Sequence, residues 1–132
     1  MDRYVDPTEQ LVTEIFVRDI KRSTAFYRRL GFELVRDDGD FVELTWEGHL
    51  LFLDERPEIG PVPDTTQANV RVMVPDVDRY WELAAEMGAG VLAPIQDKSY
   101  GLRDFAIADP DGFAVRFATR LEDLGEGSHR HA

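Results

Sequence analysis

The sequence predicts an α+β fold made of two tandem β-α-β-β-β modules. One observation is an internal repeat, because a strand, a helix cap and a helix stop recur at one fixed spacing. The same offset of 57 residues joins Val17 to Val74, Asp19 to Asp76, and Gly31 to Gly88. The other is a final hairpin in which two apolar strands flank Asp109-Pro110-Asp111-Gly112, a sequence suited to a tight turn.

The first module is predicted over residues 11–55, after an N-terminal arm of residues 1–10 without periodicity. Alternating apolar residues predict a strand over Leu11–Arg18. Asp19 can cap a helix over Ile20–Leu30, which Gly31 ends. Three strands complete the module: Phe32–Asp37, Phe41–Trp46 and His49–Glu55, the last two joined by the tight turn Glu47-Gly48.

The second module is predicted over residues 68–120, between a Pro-rich linker, 56–67, and a flexible tail, 121–132. Its first strand is Ala68–Val74, and Asp76 can cap a helix over Val77–Met87 that Gly88 ends. Three further strands are predicted: Val91–Gln96, Asp104–Ala108 and Phe113–Thr119. We expect the modules to form one structural domain, with pairing of modules possible within a chain or between chains.

Composition excludes several classes of function. The chain of 132 residues has no cysteine, which removes disulfides, thiolate metal sites and cysteine nucleophiles. Its formal net charge of −11 opposes binding to nucleic acid and favours cationic ligands, although acidity can also serve solubility alone. The N-terminus lacks signal-peptide features and no apolar run is long enough to span a membrane, so we expect a cytoplasmic protein without membrane partners.

Two motifs resemble the vicinal oxygen chelate superfamily, which includes glyoxalase I, extradiol dioxygenases, and fosfomycin and bleomycin resistance proteins. They are TxxxVxDxxxSxxFYxxLGF, from Thr13 to Phe32, and the DPDG hairpin, and the resemblance covers residues 11–120. It implies that each module curves a mixed sheet around a barrel-like cavity, with its helix on the convex side.

Strand alternation then sorts the side chains between the two faces. We expect the following to pack under the helices: Thr13, Ile15, Val17, Leu51, Leu53, Val70, Val72, Val74, Val115 and Phe117. We expect the following to face the cavity: Val12, Glu14, Phe16, Leu50, Phe52, Asp54, Asn69, Arg71, Met73, Ala114 and Arg116.

The resemblance also implies where a metal site would lie. Enzymes of the superfamily hold a divalent metal with His, Gln or Glu, and the matching positions here are Val12, Phe52, Asn69 and Arg116. Valine and phenylalanine cannot bind a metal and arginine repels one, so we expect no metal and no cofactor.

Three carboxylates leave alternatives open. Pairing across the Glu47-Gly48 turn places Glu43 opposite Phe52, on the face shared by Glu14 and Asp54. If these carboxylates converge, they can hold a cationic ligand, pair with Arg71 and Arg116, or bind the metal of a lyase or dioxygenase with unusual ligands.

A narrower resemblance concerns the bleomycin resistance proteins, which are acidic, metal-free homodimers that sequester a cationic glycopeptide. It rests on VPDTT, ANVRVMV and SYGLRDFAIADPDGFAVRFATRLED, with Phe41 and Tyr100 at the positions of aromatic residues in that group. It implies a homodimer that binds a flat, cationic antibiotic or metabolite, with Phe41 and Tyr100 as a stacking pair or, alternatively, as core and rim residues.

The leading interpretation is therefore a binding protein without catalytic residues, and enzyme activity stays an open alternative. The sequence does not name the ligand. His129 and His131 could bind metal, but a polar tail after the last strand is more often disordered. The predicted ligand-binding residues are Phe41, Glu43, Phe52, Asp54, Tyr100, Phe105, Arg116 and Glu14.

Overall fold

The structure is a computed structural model that describes residues 3–60 and 67–125. The chain divides into two compact units, Met1–Pro61 and Val62–Ala132, and the division lies in the Pro-rich segment 56–67. Residues 61–66 and the tail from residue 126, including His129 and His131, lie outside the described residues.

The elements of the first unit are α1 (Pro7–Gln10), β1 (Thr13–Val17), α2 (Ile20–Leu30), β2 (Glu33–Asp37), β3 (Phe41–Trp46) and β4 (His49–Glu55). Those of the second are β5 (Asn69–Met73), α3 (Val77–Glu86), β6 (Gly90–Asp97), β7 (Leu102–Ala108), β8 (Ala114–Arg120) and a 3₁₀ turn (Leu121–Asp123).

The two units have the same sheet topology. The strand order is β1-β4-β3-β2 in the first unit and β5-β8-β7-β6 in the second. In each, the strand before the helix pairs in parallel with the last strand, and the other pairs are antiparallel. The predicted α+β fold of two β-α-β-β-β modules is confirmed, and each sheet by itself is open, with two edge strands.

One face of each sheet packs against the helix of its own unit. In the first unit, alternate strand residues such as Val17, Leu44 and Leu53 are fully buried, as are Tyr27 and Leu30 of α2. The second unit buries Val72, Val115 and Phe117 from its strands, together with Val77 and Ala84 of α3. The predicted sorting of side chains holds in both units except that Thr13 is exposed and Val70 half-buried, each near the start of its strand.

Both main helices begin after the predicted N-cap residue, but only the first of these residues caps its helix through its side chain. The Asp19 carboxylate accepts a hydrogen bond from the Arg22 amide at 3.2 Å, as predicted. Asp76 occupies the N-cap position of α3 but its side chain makes no capping hydrogen bond. The first amide of α3, that of Val77, instead donates to the Thr119 hydroxyl at 2.8 Å.

This substitute cap also has a counterpart in the first unit. The first amide of α2, that of Ile20, donates to Glu55 Oε2 at 3.0 Å. Glu55 and Thr119 each lie at or near the end of the last strand of their unit. A side chain from that strand therefore anchors the start of the helix in both repeats, in addition to Asp19 in the first.

The N-terminal arm contains one helical turn, α1. Pro7 stands at the first position of α1, where its fixed φ is suitable and its missing N–H costs nothing. The Asp6 side chain accepts from the Thr8 amide at 3.1 Å and so caps this single turn. A four-residue helix has no apolar periodicity to detect in a sequence.

The second unit contains a buried ionic group on the helix side of its sheet. Arg103 is 1% exposed, and its Nη1 lies 2.9 Å from Asp78 Oδ2 on α3. Its Nε donates to Asp97 Oδ1 on β6 at 2.6 Å. These contacts join α3, β6 and β7 through one guanidinium. In the described part of the chain, no helix is long and apolar enough to cross a membrane.

Candidate functional site

The first unit has a polar and aromatic surface on the side of its sheet opposite α2. Pairing aligns Glu14, Phe52 and Glu43 in one row across β1, β4 and β3. The next row is Phe16, Asp54 and Phe41. Carboxylates and phenyl rings therefore alternate in both directions, and we call these six residues the acidic face. The predicted pairing of Glu43 with Phe52 is confirmed.

The rings of the acidic face are accessible and contact one another. The Phe41 and Phe52 ring centroids are 5.3 Å apart with the planes tilted by 59°. Phe16 is 49% exposed, and Phe41 and Phe52 are half-buried. The sheet thus supplies a fixed apolar floor on which a flat molecule can lie, with carboxylates beside each ring.

Two arginines of the same unit contact the acidic face. The guanidinium carbon of Arg56 lies 4.7 Å from the Phe16 ring centroid, and its Nη2 lies 3.1 Å from Asp54 Oδ2. Arg36 lies 5.7 Å from the Phe41 centroid and 3.3 Å from Glu43 Oε1. Each planar cation therefore contacts one ring and one carboxylate of this face.

The carboxylates of the acidic face are spaced apart on the sheet. Phe52 separates Glu14 from Glu43, so their Cα atoms are about 9–10 Å apart at the usual strand spacing. Asp54 lies in the other row and pairs with Arg56. In this arrangement Glu14, Glu43 and Asp54 are spread over the sheet and do not converge on one point. Among residues 3–60 and 67–125, no three His, Cys, Asp or Glu side chains are grouped to hold a metal ion.

In the second unit, the sheet surface opposite α3 carries Arg116. Its Nη1 lies 3.1 Å from Asp104 Oδ1, and Asp104 is 1% exposed. This contact is an ion pair and not an aligned hydrogen bond. The carboxylate partner of Arg116 is thus a neighbour in its own sheet.

Tyr100 stands in the loop before β7 and is 65% exposed. Its hydroxyl donates to Asp104 Oδ2 at 3.2 Å. Desolvation, together with the charge of Asp104 and this hydrogen bond, raises the pKa of Tyr100 above its ordinary value. The ring also borders a groove of about 420 Å³ whose lining includes Leu102, Arg120 and Leu121. Tyr100 is thus held in place and offers an open ring face.

Phe105 was predicted to bind the ligand, and this prediction is wrong. It is fully buried, with its ring centroid 5.2 Å from that of Trp81 on α3 and 5.7 Å from that of Phe117. Phe105 pairs directly with Phe117, and paired residues on neighbouring strands point to the same side of the sheet. It is therefore a core residue and does not reach a binding surface.

The sequence reasoning missed three charged residues that complete these surfaces. Arg36 and Arg56 provide the cations of the acidic face, and Asp104 is the partner of Arg116. Asp104 could have been found from the sequence. Pairing across the Asp109–Gly112 turn places it opposite Ala118, on the same face of the sheet as Arg116. Arg36 follows a β-bulge between Leu34 and Arg36, so simple alternation could not assign its face.

Comparisons with known proteins agree on one family. Residues 9–117 match the model of the Glyoxalase/Bleomycin resistance protein/Dioxygenase superfamily. A bleomycin resistance protein of Geobacillus stearothermophilus is 28% identical over 131 residues, an alignment that covers 86% of this chain and 98% of that protein. The bleomycin resistance proteins of several Staphylococcus aureus strains match equally well.

Solved structures show the same fold. The crystal structure of a bleomycin-binding protein complexed with bleomycin has a TM-score of 0.67 and 22% identity, and covers 85% of this chain and 98% of that one. The fosfomycin resistance protein FosX from Listeria monocytogenes has a TM-score of 0.72 and 17% identity, and covers 93% of this chain and 98% of that one.

Proposed function

We propose that this chain, which belongs to the Glyoxalase/Bleomycin resistance protein/Dioxygenase superfamily, is a metal-independent protein that binds and sequesters a small molecule in the cytoplasm. The ligand is flat, aromatic and cationic, as a bleomycin-type antibiotic is. No bond is made or broken, so the function depends on affinity and needs no catalytic residue.

The observation that carries this proposal is the alternation of rings and carboxylates on the acidic face. A flat cation gains from contact with an aromatic ring and from a nearby carboxylate at once. Arg56 already makes both contacts, with Phe16 and Asp54, and Arg36 makes both with Phe41 and Glu43. A ligand cation can take the place of these exposed guanidinium groups, which water then solvates.

The chemistry of the residues at the superfamily's metal positions supports metal independence. Val12 and Phe52 have no side-chain donor atom, and the guanidinium of Arg116 is paired with Asp104. Asn69 alone offers a ligand atom, its amide oxygen. A divalent cation does not fit this set. Protein purified without chelators should therefore contain far less than one equivalent of any divalent metal, and near-stoichiometric metal would favour the enzyme alternative.

A homodimer is part of the proposal. The outer strand of each sheet exposes two adjacent apolar residues at a β-bulge, and the two pairs match at the repeat offset: Leu34 and Val35 on β2, Val91 and Leu92 on β6. Exposed edge strands with apolar side chains are usually covered in folded proteins. Light scattering should give about twice the chain mass of 15.1 kDa, and a monomer at micromolar concentration would contradict this part.

The test of binding is a titration of metal-free bleomycin, followed by the fluorescence of the protein. Phe41→Ala removes a ring of the acidic face, and Glu43→Gln removes a charge without changing the shape of the side chain. We expect each to weaken binding about fivefold to tenfold, since a ring or a surface cation contact is worth roughly 1 kcal/mol. Tyr100→Ala should weaken binding by a similar or smaller factor, and Tyr100→Trp should preserve it.

The matched control is Glu82→Gln, which removes the same charge from the exposed surface of α3. Added salt should slow association more than dissociation, because charge acts mainly on the encounter. Equal affinity for bleomycin and for an anionic aromatic compound would contradict the proposal. Equal effects of Glu43→Gln and Glu82→Gln would show that only net charge matters and that the acidic face is not the site.

A further inference from the structure

We propose that the second unit carries an anion-binding site formed by Arg71 and Arg116, which takes the carboxylate of a small molecule. It lies on the sheet surface opposite α3, and we call these two residues the arginine pair. This inference goes beyond the proposed function, because it concerns other residues and a ligand group of the opposite charge.

The first step is the position of the two side chains. Arg71 on β5 and Arg116 on β8 are direct partners in a parallel strand pair, so both point to the same side of the sheet. Like charges at directly opposed positions destabilise a sheet unless an anion compensates them. The positive charges of Arg116 and Arg71 both oppose the rise of the Tyr100 pKa, so both act on the same hydroxyl.

The second step is a count of their partners. Within the described part of the chain, the Arg71 side chain makes no ion pair or hydrogen bond, and the Arg116 side chain makes the single ion pair with Asp104. A guanidinium has five N–H donors in a planar fork. The Asp104 carboxylate cannot serve both arginines well, because its Oδ2 accepts the Tyr100 hydroxyl and its Oδ1 is not aligned for a hydrogen bond.

The third step is the space around the arginine pair. The residues beside Arg116 on this surface are small: its partner on β7 is Ala106, and Ala114 and Ala118 stand two positions away on β8. Ala106 and Ala118 are buried and Arg116 is about one-quarter exposed, whereas Arg71 is exposed. A planar group would therefore reach the arginine pair from the side of Arg71. Arginine forks recognise carboxylates with two parallel N–H···O bonds, so one carboxylate can bridge the two guanidinium groups.

The charge balance also favours an anion. Two arginines and one buried aspartate leave one net positive charge on this surface, in a chain whose overall formal charge is −11. General attraction by the whole protein therefore cannot explain anion binding here. Anion binding here therefore requires a local site. Because the net charge of the protein repels anions elsewhere, nonspecific binding of the anion should be weak.

The test uses benzoate as the probe and benzamide as its neutral counterpart of nearly the same shape. Proton–nitrogen NMR at low ionic strength follows the arginine side-chain N–H signals during each titration. We expect benzoate to shift the Arg71 and Arg116 signals in a saturable manner, and benzamide to leave them unchanged. Arg71→Met should weaken benzoate binding at least about tenfold, which corresponds to loss of one hydrogen bond to a charged group.

Two further variants sharpen the result. Arg79→Met removes an exposed arginine from α3 of the same unit and should leave benzoate binding unchanged. Asp104→Asn removes the competing negative charge and should tighten binding by about fivefold. Arg71 is exposed, so its variant should fold normally. Equal shifts with benzamide, or equal loss in Arg71→Met and Arg79→Met, would overturn the proposal. Because bleomycin binding is measured separately, failure here leaves the proposed function untouched.

Discussion

Replacing Arg103 by methionine should destabilise the second unit by about 3 kcal/mol. The contacts of the buried guanidinium include a pair of short ones, 2.6 Å to Asp97 Oδ1 and 2.9 Å to Asp78 Oδ2. Hydrogen bonds to charged groups contribute about 1.5–3 kcal/mol each, and removing one member of a buried ion pair costs about 3–5 kcal/mol. Both carboxylates are between one-fifth and one-quarter exposed and can regain water, which places the expected cost at the lower end.

The measurement is urea denaturation at neutral pH, followed by tryptophan fluorescence. The chain has two tryptophans, Trp46 in the first unit and Trp81 on α3. In a Trp46→Phe background, Trp81 alone reports the second unit, where its ring packs against Phe105. Arg103→Met should lower the midpoint without changing the slope of the transition.

Two comparisons make this prediction refutable. Arg79→Met changes an exposed arginine on α3 of the same unit and should lower the free energy of unfolding by less than about 0.5 kcal/mol. Adding Asp78→Asn and Asp97→Asn to Arg103→Met should recover much of the loss, since neutral amides no longer repel each other in a partly dry site. A cost below about 1 kcal/mol for Arg103→Met would show that the ionic group adds little, and that apolar packing alone holds α3 to the sheet.

Three other predictions concern single residues. In the same urea assay, Thr119→Val should lower the free energy of unfolding by about 2–4 kcal/mol, and Thr119→Ser by much less. The reason is that the buried Thr119 hydroxyl accepts a hydrogen bond from the Val77 amide and donates one to the Val74 carbonyl. Gly31→Ala should lower the free energy of unfolding by about 1–3 kcal/mol, because Gly31 has φ +126° and a new Cβ would lie 3.0 Å from the Trp46 ring. Thermal denaturation measures this, and an unchanged melting temperature would contradict it. Tyr100 should titrate above its ordinary pKa in an ultraviolet difference spectrum against Tyr100→Phe, and Asp104→Asn should lower that midpoint. Since the raised pKa favours the neutral phenol in the folded state, its contribution to stability is complete below the unfolded pKa of about 10 and is lost as the pH rises through the folded pKa.

Local patterns predicted most of the fold. The fixed offset in the sequence identified the two modules, and α2 has the predicted bounds Ile20–Leu30. The final turn forms as expected, with the Gly112 amide bonded to the Asp109 carbonyl at 2.9 Å and Gly112 at φ +94°. These features depend on residues close in the chain, so periodicity, capping residues and turn chemistry were sufficient.

The candidate site was predicted in part. The strand faces of Glu14, Glu43, Phe52 and Asp54 followed from alternation and from the tight turn that sets the register of β3 and β4. The assignment of Phe105 was wrong because Phe117 had already been placed under the helix, and the hairpin register requires the two to share a face. Asp76 was wrong as a side-chain cap because Thr119, distant in sequence, supplies the acceptor.

The sequence by itself determined the order of the elements and the face that each regular strand presents, because these follow from local periodicity and from a repeat within the chain. The fold family followed from the resemblance of two sequence motifs. Only the tertiary structure decided which charges meet: Arg36 with Glu43, Arg116 with Asp104, and Arg103 with Asp78 and Asp97. Such pairs depend on the register between strands, on a β-bulge and on how a helix docks on its sheet. An ion pair is fixed by distances of a few ångströms between residues far apart in the chain, and a one-dimensional pattern does not contain those distances.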